Sequence, residues 1–187
     1  MVRFADDFVM MFQHEEEAIK TYEALKARLA KFGLQLAEDK SRVLPFGRNS
    51  NTKDTFDFLG FIHYNGKTKS CKYTIGHKIS QKKKKVFKAK LKAWIKSNRN
   101  LDLKTFLQTL DRKLIGRNNY YGIRGAFSEV KLLYEHAKFV TYKWLNRRSQ
   151  RKSFTYETFQ KIWDKTVRKP YVHVNIWAVG GIVYNSR

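Results

Sequence analysis

Val2-Arg3-Phe4 and Phe8-Val9-Met10-Met11-Phe12 are two short apolar runs with Asp6-Asp7 between them. Both are rich in valine and aromatics, which suits buried strands, and the polar pair marks the bend of a hairpin. His14-Glu15-Glu16-Glu17 then sets three acids where a helix would begin, and the macrodipole favours them there. Ile19, Tyr22, Leu25, Leu29 and Phe32 recur at three- and four-residue steps, which predicts an amphipathic helix stopped by Gly33. Residues 34–37 and 42–46 read as short strands about the turn Glu38-Asp39-Lys40-Ser41, followed by a polar loop over 47–55. Phe56 and Phe58 alternate with Asp57, so a strand there turns Asp57 outward. The same line runs on through Ile62-His63-Tyr64 to Asn65-Gly66, a strong hairpin signal, with 72–75 as the return strand.

After Gly76 the spacing becomes helical. Val86, Phe87, Leu91, Trp94 and Ile95 predict a helix that opens after Ser80 and ends near Ser97-Asn98. A second fits 103–115, with Phe106, Leu107, Leu110 and Leu114 inward and Asp102 as its N-cap. Residues 116–125 form a glycine-punctuated element. A long helix follows over about 127–146, with Val130, Leu133, Tyr134, Ala137, Val140 and Trp144 as its stripe. A basic connector spans 147–152, and Thr155 is a candidate cap for a last helix that faces Phe159, Ile162 and Trp163 inward. Pro170 breaks the pattern before a strand-like arm over 171–177. The expected fold class is α+β, with a mixed part over 1–78 and a helical part over 79–187.

Charge changes the picture most. Residues 1–60 carry 9 Lys/Arg against 10 Asp/Glu, whereas 61–187 carry 30 against 6, which accounts for the net +23 of the 187-residue chain. A near-neutral part with an acidic pair thus precedes a basic part suited to a polyanion. A membrane surface is the competing partner, but the basic helices intersperse aromatics without a separate polar face, so nucleic acid fits better. No apolar run reaches the roughly 18 residues of a membrane span, and the start is not a signal peptide. A single cysteine, Cys71, excludes an internal disulfide and fits a reducing, cytoplasmic setting. The five histidines lack the spacing of zinc ligands.

Two adjacent carboxylates repel unless a cation lies between them. Hard oxygens of this kind suit Mg²⁺, which takes one or two carboxylates along with substrate phosphates. An ordinary polar turn would read the same way in isolation.

The order of elements is more specific than the pair. Phe4-Ala5-Asp6-Asp7 between strands, a helix ending Phe32-Gly33-Leu34, then Glu38-Asp39-Lys40-Ser41, then Phe58-Leu59-Gly60-Phe61 resembles the second half of a reverse transcriptase palm. It looks most like group II intron reverse transcriptase/maturases, whose palm motif reads Tyr-Ala-Asp-Asp; Phe4 here lacks that tyrosine hydroxyl. The lysine-rich helix and Asn118-Asn119-Tyr120-Tyr121-Gly122 resemble the thumb, or maturase-specific domain, of that family. The resemblance implies a partial palm of hairpin, helix and short strands over 1–78, then a helical thumb bundle over 79–187. It implies that Asp6 and Asp7 belong to a two-Mg²⁺ catalytic set for nucleotide addition. It places Lys40 near the incoming nucleotide, although a solvated turn lysine fits equally, and Leu59 and Gly60 in the primer-grip strand. The implied partners are group II intron RNA, an RNA template and a DNA primer, in the cytoplasm of a bacterial-type cell or an organelle. The family palm draws another aspartate and its fingers from upstream of Met1, so the expectation is a C-terminal portion that does not polymerise alone and pairs with an N-terminal fingers–palm portion. Asp57, on the outer strand face, is not the substitute.

In the basic part, Lys82, Lys83, Lys84 and Lys85 cover more than a helical turn, so at most two can face one strand of nucleic acid. A solvated helix start and a backbone-tracking thumb helix both fit them. Tyr120 and Tyr121 read as core aromatics. Arg117, Asn118, Asn119 and Arg124 are candidates for phosphate or 2′-hydroxyl contact, since A-form duplexes are recognised largely by shape. Arg147, Arg148, Arg151 and Lys152 form the other candidate RNA-facing cluster. The tail lacks paired cysteines and histidines, so a second nuclease site is not expected. Beside the enzyme reading stand a non-catalytic RNA-binding maturase module and a generic basic nucleic-acid-binding protein.

Overall fold

The computed structural model describes residues 1–50, 52–147, 153–175 and 183–184. The chain divides into two compact units, Met1–Gly76 and His77–Arg187. It is α+β: small antiparallel sheets and, among the described residues, five helices.

In the first unit, β1 (Val2–Phe4) pairs antiparallel with β2 (Asp7–Val9) in the register Phe4↔Asp7, which leaves Ala5-Asp6 as the turn. Ala5 takes a φ of +51°, the left-handed conformation that tight hairpin turns demand. The expected hairpin is present, but its strands are not buried: Val2 is 51% and Phe4 64% exposed. The helix α1 (Glu15–Ala30) carries its three acids in the first turn and ends before Gly33, whose φ of +68° suits the stop. None of its residues is buried either.

The strands expected at 34–37 and 42–46 do not form. The turn between them exists, with the Lys40 and Ser41 amides both donating to the Ala37 carbonyl. Leu34 and Val43 remain exposed, however, so alternation along these runs has no core face to hold a register. The second hairpin also differs from expectation. β3 (Thr55–Phe58) meets β4 (Phe61–Lys67) with Phe58 opposite Phe61, so the two-residue turn is Leu59-Gly60, both at positive φ. Asn65-Gly66 runs straight through β4. The Asn65 side chain is already engaged, accepting from the Tyr73 hydroxyl at 2.9 Å and the Gly47 amide at 3.3 Å. The reversal comes later, where Thr68 and Lys72 pair and Cys71 adopts a φ of +57°. β5 (Tyr73–Ile79) then completes the sheet order β3-β4-β5 and extends past Gly76, where the strand was expected to close. Phe56 and Phe58 are half-buried and Asp57 exposed, as alternation requires.

The second unit holds the core. Every buried hydrophobic among the described residues lies between Ile79 and Val167. α2 (Gln81–Asn98) packs on α4 (Phe127–Leu145), and α3 (Leu103–Tyr121) packs on α4 and on α5 (Tyr156–Thr166). Leu91 and Ile95 from α2 meet Phe106 and Leu110 from α3, Ala137 and Val140 from α4, and Phe159 and Trp163 from α5. The buried indole N–H of Trp163 donates to the Tyr134 hydroxyl at 2.7 Å, so the core's largest ring leaves no donor unpaired. Asp102 caps α3 by accepting from the Thr105 amide, and Thr155 caps α5 by accepting from the Thr158 amide. Each cap is worth about 1 kcal/mol.

α3 is longer than its sequence pattern. It continues through Gly116 to Tyr121, because Leu114, Asn118 and Tyr121 extend the buried stripe at steps of four and three. Gly116 sits on the exposed side, where its intrinsic cost of about 1 kcal/mol is outweighed by the packing beyond it. Tyr121 is buried while Tyr120 is 53% exposed, so one of the two tyrosines serves the core. After α5, the arm is tied to the end of α3: the His173 amide donates to the Gly122 carbonyl, and the Arg124 amide to Val174. β6 (Val174–Asn175) pairs antiparallel with β7 (Val183–Tyr184).

Candidate metal-binding hairpin and nucleic-acid interface

The two candidate sites fall in different units. In the first, the tight turn of β1 and β2 presents Asp6 and Asp7 to solvent. The Arg3 guanidinium donates to the Ala5 carbonyl at 2.8 Å and braces the turn backbone. Neither aspartate carboxylate accepts a hydrogen bond or ion pair from any described residue, so their oxygens are open to a ligand. Among the described residues, no third Asp, Glu, His or Cys joins them in a cluster. Asp57 stays on the outer face of β3. Lys40 is exposed at the 38–40 turn, with no ion-pair partner among the described residues. Leu59 and Gly60 form the turn between β3 and β4 and are not part of either strand.

The candidates in the basic unit separate into three kinds. Lys82, Lys83 and Lys85 are exposed on the first turns of α2. Lys84 faces inward: its ammonium pairs with Glu129 of α4 at 2.6 Å, and the other Glu129 oxygen accepts the Ile79 amide. That pairing clamps the start of α2 onto α4 and removes Lys84 from the solvent-facing set. Arg117 is also turned in, its guanidinium carbon 3.9 Å from the Phe87 ring centre and 4.7 Å from that of Tyr121. Burial pushes its pKa below the ordinary guanidinium value, opposed by the neighbouring Tyr121. Asn118 is 4% exposed, whereas Asn119 and Arg124 are on the surface. Arg148, Arg151 and Lys152 lie outside the described residues.

Arg147 leads to a group that the sequence did not reveal. Its guanidinium lies 5.3 Å from the Trp144 ring centre, with Arg99 at 5.4 Å and Lys96 at 5.9 Å from the same ring. The cluster forms because α2 and α4 pack together and end near each other, where the negative ends of both macrodipoles favour cations. Lys96 and Arg99 resemble ordinary helix-end charges in the sequence. Only the packing of α2 on α4 brings them to Trp144. Three cations around one half-buried indole make a surface suited to a phosphate backbone.

Residues 1–63 match the family model of reverse transcriptase (RNA-dependent DNA polymerase). The match takes in the Asp6-Asp7 hairpin, α1 and the Leu59-Gly60 turn, about a third of the chain. It supports a reverse-transcriptase-related polymerase segment and stops before the helical unit. No curated protein and no solved structure matched the chain. Among the described residues, no helix is long and apolar enough to cross a membrane.

Proposed function

We propose that the chain is a portion of a group II intron-type RNA-directed DNA polymerase with maturase activity. Its hairpin would carry part of the Mg²⁺ site, and its basic unit would hold intron RNA and the template–primer. The observation that carries this reading is the reverse transcriptase match over residues 1–63, which includes a hairpin whose two carboxylates are exposed and unpartnered among the described residues. The donor set fits the ion: hard carboxylate oxygens on a braced turn, within the one or two that Mg²⁺ usually takes from protein. When bound, Mg²⁺ lowers the cost of negative charge developing during nucleotidyl transfer. Asp6 and Asp7 would hold that ion, and the turn would fix their position. Lys40, Leu59 and Gly60 are proposed to lie toward the nucleotide and primer.

The core favours a second reading, a non-catalytic RNA-binding module. Among the described residues, the buried hydrophobics all belong to the unit that also carries the excess positive charge. One experiment separates the two. The chain is combined with a fingers–palm segment supplied in trans, and Mg²⁺-dependent primer extension on an RNA template is measured. Extension that disappears in Asp6→Ala is the expected result. RNA binding with no extension in any combination refutes the polymerase reading and leaves the module. Equal affinity for structured RNA and arbitrary duplex DNA would reduce both to a generic basic protein.

A further inference from the structure

The turn between β1 and β2 carries a conformational conflict. With Phe4 opposite Asp7, its two residues are Ala5 and Asp6, and of these only Ala5 has a positive φ, at +51°. A two-residue hairpin turn with a positive φ at its first position favours glycine there. Alanine in that conformation brings its Cβ toward the following carbonyl. Unlike asparagine or aspartate, it has no polar side chain to compensate by a local hydrogen bond. Strained backbone persists where its surroundings over-determine it, and it concentrates at functional sites. Here it immediately precedes Asp6.

Arg3 supplies the constraint. Its Nε donates to the Ala5 carbonyl at 2.8 Å. That carbonyl belongs to the planar peptide linking Ala5 to Asp6, so the bond fixes the plane through which the chain enters the first carboxylate residue. The register of the hairpin decides from which side Arg3 acts. Arg3 stands opposite Phe8 and Phe4 opposite Asp7, so alternation puts Arg3 on one face and Asp7 on the other. The guanidinium makes no ion pair with Asp6 or Asp7. A cation paired with those carboxylates would compete with a metal ion, whereas one that grips the backbone from the opposite face leaves their oxygens open.

We propose that Arg3 is the positioning residue of the Asp6-Asp7 pair. By holding Ala5 in its strained conformation it presents the carboxylates to a divalent cation in a preorganised turn, and it touches neither the ion nor the substrate. This inference rests on the reading of the hairpin as a Mg²⁺-holding element and adds a residue to it.

The test titrates Mn²⁺, which broadens the NMR signals of nearby amides, into the full chain. Arg3→Gln puts an amide nitrogen where arginine has Nε, so it keeps the donor and loses the charge; Arg3→Ala loses both. Arg3→Ala should therefore hold Mn²⁺ at Asp6 and Asp7 about two- to fivefold more weakly than Arg3→Gln, for one exposed hydrogen bond removed. The Ala5 ¹³Cα and ¹³Cβ shifts, which report its φ, should depart from left-handed values in Arg3→Ala and keep them in Arg3→Gln. Should Arg3→Ala lose the Val2–Val9 pairing, Arg3→Met, which keeps the side-chain length without a donor, takes its place in the comparison. Equal Mn²⁺ affinity with and without the donor, or Ala5 shifts that do not respond to its loss, overturns the role of Arg3 and leaves the metal reading standing. Broadening that Asp6→Asn does not weaken is a different failure, which removes the metal reading and the role of Arg3 with it.

Discussion

Asp111 joins α3 to the segment after α5, and its removal should be among the most costly single changes in the basic unit. The carboxylate is buried, with 9% of the side chain exposed, and accepts three hydrogen bonds from Arg168 at 2.9, 3.0 and 2.9 Å. In Asp111→Ala the Arg168 guanidinium, 70% exposed, returns to water, so its half of the ion pair contributes little. The Arg168 amide loses its acceptor, at about 1–3 kcal/mol, and the space vacated by the buried side chain adds about 1 kcal/mol. The sum is about 2–4 kcal/mol. For a cooperative unit near 110 residues this lowers Tm by about 10 °C. Asp111→Asn keeps an acceptor for the amide and should lose about half as much. The assay is thermal and urea unfolding followed by circular dichroism and tryptophan fluorescence, which reports on Trp163 and Trp94. A change below about 0.5 kcal/mol in Asp111→Ala would show that the clamp contributes nothing to the fold.

Other changes address other parts of the chain. A Cβ at Gly76 would overlap the Tyr64 ring, so Gly76→Ala should destabilise the sheet by about 1–3 kcal/mol; Gly76→Ala with Tyr64→Ala should recover part of that in urea unfolding, and no recovery would discount the clash. His77 is held below the ordinary imidazole value of 6.5 by burial, and His136 by burial first and Lys88 second. The unfolded chain therefore takes up these protons more readily, so their stabilisation is intact above about pH 6.5 and is lost as pH falls below it toward the folded values. The double variant His77→Gln with His136→Gln should flatten that slope in unfolding measured from pH 7.5 to 5. Replacing Lys96, Arg99 and Arg147 by Ala should reduce the dependence of log Kd on log salt by about one for each phosphate no longer neutralised, in RNA binding titrated between about 50 and 200 mM salt; an unchanged slope would remove the Trp144 surface from the interface.

What could be read from the sequence was whatever a local rule decides. The Asp102 and Thr155 caps, the stripe of α4 and the alternation of Phe56 with Phe58 each depend on neighbours within a few residues. So does the hairpin around Asp6-Asp7. The strands expected at 34–37 and 42–46 failed for want of a core face, whereas the other misreadings share one cause, a local signal overruled by a distant partner. Asn65-Gly66 reads as a turn until Tyr73 and Gly47 claim the asparagine oxygen, and Leu59-Gly60 turns instead. Gly116 reads as a helix stop until the burial of Asn118 and Tyr121 carries α3 past it. Lys84 is indistinguishable from its neighbours until Glu129, 45 residues on, selects it. The Trp144 surface was invisible for the same reason, since Lys96 and Arg99 belong to a different helix from the ring they face.

The absence of buried hydrophobics in Met1–Gly76, among the described residues, has a calorimetric consequence. Heat absorbed on unfolding scales with the number of residues that leave a packed state, at about 0.7 kcal/mol per residue near 60 °C. If all 187 residues melted from such a state, the chain would absorb about 130 kcal/mol. With the packed interior confined to 79–167, the endotherm should be closer to about 60–80 kcal/mol. Ligands of the hairpin should then leave that endotherm in place, whereas ligands of the basic unit should move it.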